Sequence, residues 1–319
     1  MCFSAIVKLD PRHLGLRFKA RADLPLFEDL FRRRADGMKL RIPRGLESGF
    51  ANPTDQMGLG IKRSIDAYRE RMIREFETDL FTQAKRLADA ERKLEEKPTK
   101  TAEKERGIAT RKIEALKRRL ETIRSDSERP DDSRIYTQDY ASLIVWEKDE
   151  RVTKPMRYLC RPAGFPETFD REFPGCYNAR RDSLKKFWKN QYRRNHGILV
   201  ISSFFENVKR HDFERRRLQP GEVEENLILQ FRPRGFEEIL VPCIWDRWSA
   251  DGQADLYSFA LITDEPPKEI REAGHDRCPI FLKESNIERW LQPEVTSEDE
   301  LEAILNDPER PFYENKAVA

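Results

Sequence analysis

The sequence predicts an α+β protein: a twisted antiparallel β-sheet, rolled towards a barrel, with peripheral helices and an inserted helical hairpin. Three observations carry this. Between about Ile135 and Pro293, short runs of β-branched and aromatic residues alternate with turn residues. Between about Gly60 and Asp132, apolar residues recur at spacings of three and four. The chain has 319 residues with 10% aromatics, enough to bury a real core and too aromatic for wholesale disorder.

Taken in order, the first stretch to about Leu59 is mixed. Ala5–Val7 suits a short strand, and Arg41–Gly45 and Ala51–Thr54 read as turns or loops. The second stretch carries Ile61, Ile65, Tyr68, Met72, Phe76, Leu80, Ala84 and Leu87 on one helical face. It breaks at Lys97-Pro98-Thr99-Lys100 and resumes with Ala109, Ile113, Leu116, Leu120 and Ile123. Two amphipathic helices around a short breaker predict an antiparallel hairpin. In the third stretch, strands are expected at Ser142–Trp146, Gly197–Ile201, Asn226–Phe231, Glu238–Trp245 and Tyr257–Thr263. Ser285, with Glu288 three residues on, reads as a capping box for a short helix to Leu291. The expected organisation is a domain over 1–293, interrupted by the hairpin at 60–132, then a partly ordered, initially acidic tail at 294–319.

Composition narrows the function classes. Charged residues make up 37% of the chain, yet the formal net charge is +2, so any nucleic-acid contact must come from local clusters. No run of about 18 apolar residues predicts a membrane span, and no secretory signal is read at the N-terminus. The five cysteines (Cys2, Cys160, Cys176, Cys243 and Cys278) are scattered without CxxC pairing. They indicate neither a metal site nor a disulfide framework, and a cytoplasmic, reducing location is expected.

Four patches carry chemistry. With Met1 removed, Cys2 offers a thiol and an α-amine on neighbouring carbons. Their reference pKa values, near 8.5 and 7.7–8.0, make both nucleophilic near neutral pH. The amine can form a Schiff base with an aldehyde, and the thiol can then close a thiazolidine ring. Tyr177-Asn178-Ala179-Arg180-Arg181-Asp182 combines an amide, two guanidiniums and a carboxylate. Glu206 follows Phe205 just past the apolar strand end, a placement suited to general acid–base work. His275, in Gly274-His275-Asp276-Arg277-Cys278-Pro279, is one of four histidines and can shuttle protons near pH 7. Each also has a plainer reading: an inert cysteine, a solvated charged loop, a surface acid, a structural histidine.

Together these patches resemble the SOS response-associated peptidase (SRAP) family of abasic-site processing proteins. Its motifs appear in order as Met1-Cys2, Phe50-Ala51-Asn52-Pro53, Asn178-Ala179-Arg180-Arg181-Asp182, Phe205-Glu206 and His275-Asp276-Arg277-Cys278-Pro279. Pro155–Tyr158 and Pro162-Ala163-Gly164 resemble the family's strand and Pro-Gly segment. The resemblance implies an SRAP-like fold and a thiazolidine DNA–protein cross-link between Cys2 and abasic sites in single-stranded DNA. Asn178 would orient the amine or the sugar, Glu206 would handle protons, and His275 would assist sugar ring opening. Arg180 and Arg277, with Asn52, would contact DNA. No cofactor or metal is implied, and a lyase or autoproteolytic activity belongs to the same expectation. The protein would be nucleoid-associated when bound to DNA. The chain departs from the family pattern at Phe3-Ser4 (usually Gly-Arg), at Asp182 (usually Glu) and at Asn207 (usually aromatic). Two alternatives stay open: a cysteine-dependent peptidase, and a non-catalytic DNA- or protein-binding scaffold whose hairpin takes a protein partner.

Overall fold

A computed structural model describes residues 3–318. The chain divides into two compact units. One comprises Met1–Phe27, Leu40–Asn52 and Arg129–Ala319, and the other comprises Glu28–Lys39 and Pro53–Glu128.

The strands of the first unit form one twelve-stranded mixed sheet. They are β1 (Ser4–Val7), β2 (Arg21–Ala22), β3 (Arg134–Tyr136), β4 (Tyr140–Glu147), β5 (Glu150–Tyr158), β6 (Asn178–Arg180), β7 (His196–Lys209), β8 (Asn226–Pro233), β9 (Ile239–Trp248), β10 (Leu256–Asp264), β11 (Cys278–Pro279) and β12 (Tyr313–Val318). The helices in chain order are α1 (Pro11–Phe18), α2 (Leu24–Ala35), α3 (Arg44–Ser48), α4 (Gln56–Glu96), α5 (Lys100–Arg124), α6 (Phe169–Glu172), α7 (Lys189–Arg194), α8 (Arg210–Phe213), α9 (Lys268–Glu272), α10 (Ile287–Leu291) and α11 (Glu298–Asn306).

Five strands close on themselves. β4 pairs with β5, β5 with β10, β10 with β9, β9 with β7, and β7 returns to β4. Most pairings are antiparallel, as expected; β5 and β6 run parallel to β10, and β2 parallel to β5. Closing a ring removes the sheet edges that would otherwise stay open. At the closing seam Gly197 lies opposite Val145, and a Cβ there would stand 2.6 Å from Leu143 Cδ2. Only glycine lets the two strands approach this closely.

β7 is the hinge of the architecture. Its first half, His196–Ile201, belongs to the ring. Its second half leaves the ring and pairs with β1 on one side and β8 on the other. The register with β1 shifts between Ile6 and Val7, a bulge where the strand changes partners. The extension continues outwards to β3 beyond β1 and to β12 beyond β8. In the ring, β4, β7 and β9 are buried on both faces, so they read as near-continuous apolar runs. α10 covers the start of β7. The Trp290 ring stacks on His196 with centroids 3.9 Å apart, and its Nε1 donates to the Gly197 carbonyl at 3.0 Å.

Two sequence expectations are revised here. The short helix before Leu291 begins at Ile287 after a 3-10 turn over Glu284–Asn286, with no side-chain cap. Asn286 occupies the cap position and its Oδ1 accepts from Arg289 instead, so Ser285 lies one residue too early. A reciprocal capping box forms at the next helix, α11, between Ser297 and Glu300. The tail is also structured: α11 is followed by β12, which pairs with β8 from Tyr313–Pro233 to Val318–Ile228. Alternation in Tyr313–Val318 is too weak to read as a strand without its partner.

In the second unit, α4 and α5 pack against each other around the Lys97-Pro98 break. Arg86 pairs with Glu105 at 2.5 Å and Arg124 pairs with Glu77, a register that requires antiparallel helices. Asp55 and Thr99 cap the two N-termini. Two helices bury only a narrow stripe. Ile61, Ile65, Ala109, Leu116 and Leu120 are buried, whereas Ala84 and Phe81 are exposed.

Candidate functional site

Alternation along the second half of β7 decides which side chains face inwards. Phe204 stacks on Phe231 and meets Tyr313 edge-on, all three in the core. Glu206 shares that inward face and is fully buried. The residue was expected just past a strand end. It lies inside a 14-residue strand, because β1 and β8 extend the ladder beyond the apolar run.

His275 reaches Glu206 from the loop after α9. Gly274 ends that helix at φ +96, a left-handed turn that L side chains rarely adopt, and a Cβ there would also crowd Asp212. The turn drives His275 inwards. Its Nε2 stands 3.2 Å from Glu206 Oε2, and the ring is 8% exposed. Its Nδ1 lies 2.8 Å from the Arg277 carbonyl.

Burial dictates the charge state of the pair. It pushes the Glu206 carboxyl up to about 8, with nearby Asp276 adding to the rise. Burial likewise pulls the His275 imidazole below its ordinary value. Both shifts favour a neutral pair near pH 7 over an ion pair. The Arg277 carbonyl and backbone N–H both lie within reach of Nδ1, and Nε2 faces Glu206 Oε2, so two titratable groups adjoin in a setting that disfavours charge on either.

The remaining predicted residues are placed as follows. Asn178 opens β6, buried beside Leu261 of β10. Two residues on, Thr263 of β10 pairs with both Arg180 and Pro279, so β10 separates the Asn178 strand from the strand that follows His275. Arg180 is exposed and engages Asp182 at 3.0 Å; a phosphate there would have to displace that carboxylate. Its neighbour Arg181 is structural, tied to Asp264, Glu302 and the Leu305 carbonyl. Arg277 makes no ion pair among the described residues, and its backbone N–H approaches His275 Nδ1 at 3.2 Å. Asn52 lies in an exposed turn where its carbonyl accepts from Arg12. Cys2 lies outside the described residues. Three of the described cysteines make poor nucleophiles: burial pushes the Cys160 and Cys243 thiols well up and the Cys176 thiol to about 11.

One group near Glu206 escaped the sequence reading. Arg134 donates through Nε and Nη2 to Ser4 Oγ at 3.2 and 3.1 Å, and its guanidinium lies 3.6 Å from the Phe205 ring centroid. No local motif marks it, since β1 and β3 bring it there from 130 residues away. Among the described residues, no group of three or more His, Cys, Asp or Glu could hold a metal ion, and no helix is long and apolar enough to cross a membrane.

The sequence model described as "SOS response associated peptidase (SRAP)" matches residues 104–318, about two thirds of the chain. The chain belongs to the SRAP family. Among curated relatives, this SRAP chain is 27% identical over 132 residues to "Abasic site processing protein YoqW" of Bacillus subtilis (strain 168), covering 40% of this chain and 53% of that one. It is 26% identical over 132 residues to "Abasic site processing protein YobE" of the same strain, covering 40% and 54%. The chain thus matches about half the length of these relatives. Among solved structures, a protein from Bacteroides thetaiotaomicron aligns with a TM-score of 0.46 at 17% identity, over 58% of this chain and 77% of that one. A protein from Bordetella bronchiseptica gives 0.46 at 16%, over 59% and 87%.

Proposed function

We propose that this SRAP chain captures abasic sites in single-stranded DNA through Cys2, by a thiazolidine cross-link. The printed names of the curated relatives support the abasic-site substrate. The observation that carries the chemistry is the buried Glu206–His275 pair, 3.2 Å apart, with the carboxyl pushed by burial to about 8. Chain connectivity adds to it: Ser4 pairs with Phe205, next to Glu206, and two peptide units spanning at most about 7 Å separate Ser4 from Cys2.

The step balances as follows. The free α-amine of Cys2 adds to the aldehyde carbon of the ring-opened sugar, giving a carbinolamine. Protonated Glu206 donates a proton as the hydroxyl leaves as water, giving an iminium ion. The thiol sulfur adds to the iminium carbon, closing the ring and leaving nitrogen neutral. The proton released from the thiol returns to Glu206, directly or through His275. One water is lost overall. In this reading Asn178 orients the amine or sugar, and Arg180, Arg277 and Asn52 contact the strand.

Intact mass spectrometry tests the proposal. The protein is mixed with a uracil-containing single strand treated with uracil glycosylase. The expected product has the mass of protein plus DNA minus one water, and is lost in Cys2→Ala. Absence of an adduct from protein with a free N-terminal Cys2 would sink the idea. Peptide turnover that survives blocking of the α-amine would instead favour the peptidase alternative.

A further inference from the structure

A cavity of about 470 Å³ is lined by α7 and by residues from Pro293 to Leu301, near the start of β7 and away from Glu206 towards its other end. Its walls are tied together. His196 Nε2 lies 2.7 Å from the Tyr192 carbonyl of α7. Its Nδ1 lies 2.7 Å from the Trp290 carbonyl of α10, shortly before the second wall begins at Pro293. Lys185 links the loop before α7 to Glu298 and Glu302 of α11 at 3.0 and 3.4 Å. A site held in this way loses little freedom when a ligand enters.

Lys189, Tyr192 and Arg193 share one face of α7, at i, i+3 and i+4, and Arg194 joins them on the lining. Lys189, Arg193 and Arg194 make no ion pair among the described residues. Of the two lining carboxylates, Glu298 is taken by Lys185, which leaves Glu294. Three cations against one carboxylate give an excess of two positive charges. Tyr192 is 2% exposed, yet its hydroxyl has no hydrogen-bond partner among the described residues. Glu302 acts on it electrostatically but is committed to Arg181 and Lys185. Burial, with Glu302 and Glu298, pushes the phenol pKa up, so the group keeps its proton and is a donor. A buried donor without an acceptor is costly, and a ligand oxygen would satisfy it. Pro293 and Leu301, both buried, supply an apolar patch beside these groups.

We infer that this cavity binds a small phosphate monoester. Lys189, Arg193 and Arg194 hold the phosphate, the Tyr192 hydroxyl donates to one of its oxygens, and the organic part lies against Pro293 and Leu301. A phosphate monoester carries about two negative charges near neutral pH, which matches the excess. A single carboxylate would leave half of it unmatched. The two guanidiniums offer forks of donors that fit phosphate oxygens. The volume falls within the range of small-molecule sites, about 300–1,000 Å³. The inference stands apart from the cross-linking reading, since it uses none of Cys2, Glu206 or His275.

The test is isothermal titration calorimetry on the full chain at constant ionic strength, with phenyl phosphate as the probe. Benzenesulfonate, a monoanion of similar shape, and inorganic phosphate serve as comparisons. Phenyl phosphate should bind at one site, about tenfold more tightly than either. The Lys189→Gln/Arg193→Gln double variant, at two exposed positions, should weaken binding by about tenfold or more. Tyr192→Phe should weaken it by about fivefold while thermal stability holds or rises, because the hydroxyl has no partner to lose. No saturation by about 10 mM phenyl phosphate would overturn the inference. So would an equal loss in Lys117→Gln/Arg118→Gln on α5, or unchanged affinity in both cavity variants. Equal affinity for inorganic phosphate and phenyl phosphate would leave an adventitious ion only. Displacement of the probe by undamaged oligothymidine at equal phosphate concentration would make the cavity part of a nucleic-acid surface and overturn the small-ligand inference.

Discussion

His275 Nε2 lies 3.2 Å from Glu206 Oε2, in a setting where burial raises the acid and lowers the base. Burial therefore favours the uncharged form of each group. Glu206→Gln keeps the shape and removes the transferable proton. Cross-linking of abasic DNA should slow by about 100-fold, in the range of general acid catalysis. Alkylation of Cys2 by iodoacetamide should stay within about twofold. Single-turnover gel assays check the first rate and mass spectrometry the second; equal slowing of both would point to a misfolded N-terminus instead.

The same pair predicts a pH dependence of stability. A carboxyl raised to about 8 binds its proton more tightly in the folded state, so its contribution is complete below its unfolded value and is lost as pH rises through about 8. His275, shifted down, acts in the opposite sense below its unfolded value near 6.5. From about pH 6.5 to 8 the glutamate acts alone, and stability should fall by up to about 1.4 kcal/mol per pH unit. Urea denaturation of wild type and Glu206→Gln across that window should show a falling curve for the first and a flat one for the second. Parallel curves would remove Glu206 as the cause.

His275→Gln should slow cross-linking less than Glu206→Gln, by about tenfold, because the carboxyl remains to donate. It should also move the alkaline limb of the pH–rate profile, since the partner of Glu206 changes. An unshifted profile would give His275 a purely structural part.

Asp170 makes a different prediction. Burial opposes its charge, but Arg161 and Arg157 each bond it through two nitrogens and together bring its pKa below the usual carboxylate range. Asp170→Ala strands both guanidiniums, which are 9% and 12% exposed, and should cost about 3–5 kcal/mol. In the wild type this contribution is present above the unfolded value near 3.9 and is lost as pH falls through the lowered one. Thermal melts at pH 7 and pH 3 check it: the gap between variant and wild type should narrow in acid.

The long hairpin should be dispensable for capture. Replacing residues 80–117 with a short turn removes the distal parts of α4 and α5 and leaves the sheet untouched. Cross-linking should stay within about twofold of wild type, read by the same gel assay. A larger loss would give the hairpin a direct part in capture.

How much of this was legible beforehand depended on range. The hairpin was readable because its signal is local: the apolar period runs along the 41- and 25-residue helices, and the Pro98 breaker lies between them. The ring strands β4, β7, β9 and β10 were readable as apolar runs. Their closure was not, because pairing partners leave no local trace. Glu206 was placed past a strand end because the apolar run stops near Ile201, yet the ladder continues to Lys209 on polar and aromatic residues. Asn178, Glu206 and His275 were singled out for their residue types and motif order, not for burial; all three are buried, and Glu206 lies 3.2 Å from His275. Arg134 stayed hidden because its value lies wholly in what β1 and β7 bring to it.

β12 was described as the partner of β8. Seen from outside, it is a guard. Without it, β8 would bare a row of unpaired N–H and C=O groups from Ile228 to Pro233, a template that another copy could add to. The cover on that edge is thus six residues with little burial of their own, Tyr313 aside. The segment with the least packing to lose is the one whose loss would be felt first in solubility.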